Sequence, residues 1–212
     1  MARVTILSRI ALGAAAVLMA ALGFAVAHWW AVARAPVQSL ATGTLLSPAR
    51  DLPAFSLLDQ NGAAFTPASL RGHWSLLFFG YTNCPDLCPT TLATLATLQR
   101  AWQRDGAQHP RVVFVSVDAK RDTPAVLARY VPYFDASFTG VTAANQPQIE
   151  DFARRLGALV IIGPEHDGTY SVDHTGALFV ISPKGQLAAV LSGPHTVQGL
   201  REDIARILAA GA

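Results

Sequence analysis

Both cysteines of the chain fall in one turn, Cys84-Pro85-Asp86-Leu87-Cys88-Pro89, between the apolar run Trp74–Gly80 and a segment of helical periodicity. A continuous apolar run of this length reads as a strand buried on both faces. Leu92, Leu95 and Leu98, with polar residues between them, predict an amphipathic helix over Thr90–Arg104. The cysteines therefore sit where a central strand turns into a helix. Backbone N–H groups and the positive end of the helix dipole stabilise a thiolate there, so such cysteines ionise, bind or attack more readily than others. Three intervening residues let the two sulfurs share one side of a turn, near enough for one metal ion or for a disulfide. Pro85 and Pro89 stiffen the loop. Two cysteines are too few for a disulfide scaffold, but they are enough for a site.

The residues that follow alternate between strand and helix signals. Val112–Val117 is a second buried strand. Thr123–Tyr130, with Pro124 in its first turn, and Asn145–Leu156, capped by Asn145, are expected helices. Leu159–Ile162, Ala177–Ile181 and Leu187–Leu191 read as strands, the last two joined at Pro183-Lys184-Gly185, and Thr196 caps a final helix to about Ala209. Ahead of them Ala54–Leu58 and Ala64-Phe65 form a hairpin with a type I′ turn at Asn61-Gly62. The order predicts an α/β fold, a thioredoxin-like sandwich with an N-terminal hairpin extension.

Composition matters chiefly for the start of the chain. Ile10–Ala27 carries no polar side chain, and with only His28 intervening the apolar stretch continues to Ala33. Such a run can cross a hydrocarbon core of roughly 30 Å. Arg3 and Arg9 precede it, which keeps the N-terminus in the cytoplasm and sends the rest of the chain across. A cleaved signal peptide is the alternative, since Ala25-Val26-Ala27 and Ala31-Val32-Ala33 offer small-residue cleavage sites, although the apolar run exceeds the usual length of about 7–15 residues. The organisation expected is thus residues 1–34 as cytoplasmic start and one transmembrane helix, 35–53 as an extended tether, and 54–212 as the folded domain. A bacterial inner membrane with the domain in the periplasm fits best. Charged residues make up only 14% of the chain, and without Arg3, Arg9 and Arg34 acids slightly outnumber bases. Nothing here would neutralise nucleic-acid phosphates.

Soft thiolates favour Cu(I), zinc or iron–sulfur chemistry, and two sulfurs want a third ligand. Of six histidines, His28, His73, His109 and His195 have ordinary packing or solvated readings, and His166 sits in the loop Gly163–Asp173. His174 differs: it ends that loop and starts the apolar hairpin strand, which a thioredoxin-like sheet brings near the first helix. The residues alone leave its role as a ligand open.

Three separated motifs carry a resemblance. Phe79-Gly80-Tyr81-Thr82 running into Cys84-Pro85-Asp86-Leu87-Cys88-Pro89, Val117-Asp118 with Arg121-Asp122-Thr123-Pro124, and Val172-Asp173-His174-Thr175 resemble, in order, those of the Sco/SenC family of copper-binding proteins. The likeness spans Gly43 to His195. It implies that Cys84, Cys88 and His174 hold one copper ion, as Cu(I) or Cu(II), with Asp173 orienting the His174 loop. It further implies a membrane-anchored metallochaperone that receives copper from a donor protein and delivers it to the copper-bearing subunit of cytochrome c oxidase. That is a binding function, not turnover. The alternative is a thiol–disulfide reductase in which Cys84 and Cys88 form the redox pair that keeps the subunit's cysteines reduced. A peroxiredoxin-like peroxidase is weaker, because Thr82 lies only two positions before Cys84 and lacks the proline of the peroxide-activating pattern. Asp118 and Asp122 are expected to fix the loop after the second buried strand.

Overall fold

The structure, a computed structural model, describes residues 17–24, 26, 40–167 and 169–211. The chain divides into two units, Met1–Gln38 and Ser39–Ala212. In the first, residues 17–24 are helical with exposed apolar side chains. The rest of the expected transmembrane segment lies outside the described residues. Among the described residues, no helix is long and apolar enough to cross a membrane.

The second unit is built on one eight-stranded mixed sheet. In chain order its elements are β1 (Gly43–Asp51), β2 (Leu57–Asp59), β3 (Ala64–Phe65), β4 (Ser75–Gly80), α1 (Leu87–Asp105), β5 (Arg111–Ser116), α2 (Pro124–Phe134), β6 (Thr139–Thr142), α3 (Gln146–Leu156), β7 (Val160–Ile162), β8 (Val172–His174), β9 (Leu178–Ile181), β10 (Gln186–Leu191) and α4 (Val197–Ala210). The sheet runs β1-β10-β9-β4-β5-β6-β2-β3, while β7 and β8 pair in a separate two-stranded ribbon. At its centre β4 and β5 are parallel and β9 and β10 antiparallel. The sequence β4-α1-β5, then β9-β10-α4, is the thioredoxin arrangement.

Alternation along β4 divides the core. Leu76 and Phe78 face one layer with Leu92, Leu95 and Leu98 of α1, Leu127 of α2 and Ile204 of α4. Leu77 and Phe79 face the other with Ile149, Phe152 and Leu156 of α3. Period two in the strand and the i, i+3, i+7 spacing in the helix thus meet at the same surfaces.

Three expectations need correction. The stretch 35–53 is not a tether throughout, because residues 43–51 form the edge strand β1 against β10. Gly43 permits the close approach, since a Cβ there would lie 2.5 Å from Leu191 Cδ2. The buried carboxylate of Asp203 then accepts hydrogen bonds from the Ala41 and Thr42 amides at 2.7 and 3.0 Å. Pro48 falls within the register shift between Leu45 and Arg50, where a missing N–H costs no ladder bond. Second, His174 does not start the closing hairpin. It ends β8, whose partner is β7, with Val160 opposite His174. Third, the Asp59–Gly62 turn has one left-handed residue, Gly62 (φ 78°), where type I′ would need two; the Asp59 carboxylate takes the amides of Asn61 and Ala63 instead.

Candidate metal centre

The Cys84–Cys88 turn is shaped by the end of β4 and the start of α1. Cys84 Sγ accepts a hydrogen bond from the backbone N–H of Cys88 at 3.4 Å, the place an N-cap oxygen usually takes. The first turn of α1 thereby points its free amide at a sulfur. Asp86, the residue preceding the helix, holds Thr90 Oγ1 at 3.2 Å and stays exposed. Cys88 is completely buried, whereas Cys84 is half-buried; both are free thiols. Burial pushes the Cys88 thiol well above the usual cysteine range, against the lowering effect of the Tyr81 backbone hydrogen bond.

The ribbon β7–β8 carries His174 over this turn. Its Nε2 lies 3.4 Å from Cys88 Sγ, and its Nδ1 lies 3.3 Å from the Thr175 carbonyl. A carbonyl can only accept, so Nδ1 holds the proton and Nε2 turns its lone pair toward the sulfur. Burial, the largest influence, keeps the His174 pKa below the ordinary histidine value. The imidazole is therefore neutral at neutral pH, with Nε2 free to act as a donor to a metal. Tyr81 meets it edge-on at 5.8 Å and Phe78 at 6.2 Å, which fixes the ring plane. The ligand atoms of Cys84, Cys88 and His174 all lie within 4.8 Å of one another. Cys84 and His174 line an open depression with Tyr81, Pro85 and Leu87, and Cys88 lies buried beneath it. Two soft sulfurs and one imidazole nitrogen suit Cu(I).

Two buried carboxylates tie the ligand-bearing loops together. Asp122 accepts from the Thr82 amide at 2.8 Å, from Thr82 Oγ1 at 2.5 Å and from Ser116 Oγ at 2.6 Å. It thus clamps the residue two positions before Cys84 to the end of β5. Asp118 pairs with Arg121 Nε and takes the Tyr170 hydroxyl at 2.7 Å. Arg121 stacks on the Tyr170 ring, 3.7 Å from its centroid, and donates to the Tyr170 carbonyl at 3.2 Å. This second clamp holds the segment leading into β8. The two aspartates therefore do more than fix their own loop. Asp173, expected to orient the His174 loop, has an exposed side chain and acts on the imidazole through its charge. His195 secures the other side, its Nε2 donating to the Gly176 carbonyl at 2.8 Å. His166 bridges to Thr169, and His109 stacks on Trp102; among the described residues neither joins the cluster.

With this geometry in place, comparison with known proteins is decisive. A family model described as SCO1/SenC matches residues 45–209. The chain belongs to the SCO1/SenC family. A putative copper-binding protein of Stutzerimonas stutzeri is 36% identical over 164 residues, covering 77% of this chain and 80% of that protein. The mitochondrial Protein SCO2 homolog of Bos taurus is 35% identical over 158 residues, 74% of this chain but only 59% of the bovine one. Among solved structures, Bradyrhizobium japonicum ScoI with copper bound has 33% identity and a TM-score of 0.65, covering 74% of this chain and 99% of that one. Arabidopsis thaliana ScoI with copper bound has 30% identity and a TM-score of 0.69, with 74% and 98% covered.

Gly80 belongs to the SCO1/SenC site through the space it leaves for Cys88. Gly80 closes β4, and a Cβ on it would lie 2.7 Å from both Cys88 Sγ and Phe114 Cε2. Its place between a buried strand and the cysteine turn is the only sequence signal. Gly80→Ala is expected to cost roughly 1–3 kcal/mol by overpacking and to displace Cys88 from His174. Thermal melting together with copper affinity checks both effects.

Proposed function

We propose that this chain is a copper metallochaperone, anchored by its N-terminal apolar segment in a bacterial inner membrane with the folded unit in the periplasm. Cys84, Cys88 and His174 hold one copper ion supplied by a donor protein and pass it to the copper-bearing subunit of cytochrome c oxidase. The convergence of two sulfurs and one imidazole nitrogen within 4.8 Å carries this reading. The description of the Sco family as cytochrome c oxidase assembly proteins supports the partner. Relatives described as copper-binding or solved with copper support the cargo. The anchor rests on the eighteen apolar residues Ile10–Ala27 behind Arg3 and Arg9.

The open depression over a buried sulfur suits handover. Cys84, half-buried at the rim, is the ligand an incoming thiolate would replace first, while Cys88 stays beneath. Copper uptake must displace the Cys88 proton, which burial otherwise retains.

A second reading has its own observation: Cys84 and Cys88 are close, free, and placed at a helix start, as in thiol–disulfide exchange. The full chain, loaded with Cu(I) in detergent, is mixed with the copper-free subunit and the two are separated. Copper recovered on the subunit supports delivery. No copper on the subunit, while the reduced copper-free chain opens a disulfide of the subunit and its own Cys84 and Cys88 become a disulfide in exchange, favours the reductase.

A further inference from the structure

Five large apolar side chains of the second unit are exposed among the described residues. Four of them, Leu87, Leu159, Ile161 and Ile162, belong to the start of α1 or to the β7 arm of the ribbon, the two segments that carry the candidate ligands. Single apolar residues on a surface need no reason, but a concentration beside one site marks an interaction surface. Leu87 is 44% exposed and lines the open depression together with Asp86 and Asp173. The bonds from Gly163 N–H to Ser171 O at 2.9 Å and from Thr175 N–H to Leu159 O at 3.0 Å set the faces of the ribbon. Strand alternation then puts Leu159, Ile161 and Asp173 on its outer face, away from His174 and the buried Val172. Leu159 and Ile161 are 60% and 50% exposed. Asp173 belongs both to the rim of the depression and to this apolar face, so the two are continuous.

The charges here are of one sign. Asp86 and Asp173 are exposed and have no ion-pair partner among the described residues, and no Lys or Arg lines the depression. Lys120 and Arg121, the cations of the loop after β5, are engaged by Glu165 and Asp118. Two thiolates around one Cu(I) add a further negative charge. Handover is a ligand exchange: an acceptor thiolate bonds to Cu(I) as the Cys84 sulfur leaves with its electron pair, and no oxidation state changes. The acceptor must therefore cover this mouth. Covering it takes the apolar rim and both carboxylates out of water, which is favourable only if the incoming face supplies apolar contacts and cations. A second copy of the chain would bring a second set of the same carboxylates, and an anionic membrane surface would repel them.

We propose that Leu87, Leu159 and Ile161, with Asp86 and Asp173, form the docking surface for the copper-accepting protein, whose own metal-binding thiols are flanked by lysine or arginine. The apolar residues hold the complex together, and the carboxylates steer and orient the encounter. This inference rests on the copper-delivery reading above.

The test times copper transfer from the Cu(I)-loaded full chain in detergent to the copper-free oxidase subunit, by rapid quenching and separation, at low and at high salt. For the wild type the second-order rate constant should fall about tenfold or more as salt rises. Ile161→Ser should slow transfer roughly fivefold or more while keeping the wild-type melting temperature and Cu(I) affinity. Asp86→Asn should slow it at low salt and flatten the salt dependence. Tyr133→Ser, which alters the exposed residue outside these segments, should transfer at the wild-type rate. Wild-type rates in both Ile161→Ser and Asp86→Asn, a wild-type rate that ignores salt or rises with it, or an equal loss in Tyr133→Ser would overturn the proposal. So would sedimentation showing a dimer of the chain alone that Ile161→Ser dissociates, since the face would then belong to a second copy. If the wild-type chain binds Cu(I) but transfers none at either salt, the delivery reading falls and this inference with it.

Discussion

Cys88→Ser is expected to abolish tight Cu(I) binding while leaving a folded protein. Cys88 is the one residue of the three in contact with both others: its backbone amide donates to Cys84 Sγ and its sulfur meets His174 Nε2. A serine hydroxyl fits the same buried volume, but it is a hard donor that stays protonated, and Cu(I) gains little from it. Loss of the ligand should exceed the ~10–100-fold that changes among supporting residues typically cost. The fold should survive, at a cost of about 1–3 kcal/mol for burying a hydroxyl in place of a thiol. Circular dichroism melting and a chelator competition read the two effects separately. A Cys88→Ser chain that binds Cu(I) as tightly as the wild type would remove Cys88 from the site.

Asp122→Ala should give the largest loss of stability. Three donors, Thr82 N–H, Thr82 Oγ1–H and Ser116 Oγ–H, lose their acceptor at once, and Ser116 is wholly buried. Hydrogen bonds to a charged group contribute about 1.5–3 kcal/mol each, but they are not additive within one network. A net loss of roughly 3–5 kcal/mol is the expectation, or a melting temperature about 10 °C lower for a domain of this size. Copper affinity should drop as well, because Thr82 precedes Cys84 by two residues and the clamp sets the path of that loop. Asp122→Asn, which keeps one acceptor oxygen, should fall between. A variant that melts like the wild type would show that Thr82 and Ser116 find other partners.

These effects follow from features that the sequence discloses unequally. The central strands were legible because β4 and β5 are continuous apolar runs buried on both faces, and α1, α3 and α4 because their apolar spacing matches a helix. Caps at Thr123, Asn145 and Thr196 are seen with their side-chain oxygens accepting from Val126, Gln148 and Gly199 amides. The strand β6 was missed: Thr139-Gly140-Val141-Thr142 is short and carries one large apolar residue, and its strand character comes from pairing with β5 and β2. Edge strand β1 was missed for a related reason. Gly43, Pro48 and an irregular register hide any alternation, and its partners lie more than 130 residues away.

At the site, the cysteine turn could be read locally since both sulfurs share one turn of chain. His174 could not, because 86 residues separate it from Cys88 and only the β7–β8 ribbon closes the gap. The motif resemblance supplied what spacing lacked. Tyr170 carried no signal at all. Its role depends on which polar atoms it meets in the packed chain.

The central claim, one copper ion on two sulfurs and one imidazole, is tested most directly by an anaerobic Cu(I) titration of the reduced full chain beside His174→Ala. The account predicts one ion per chain for the wild type and clearly weaker binding once the imidazole is gone. Binding of equal strength in both would contradict it and leave the two cysteines to thiol–disulfide chemistry.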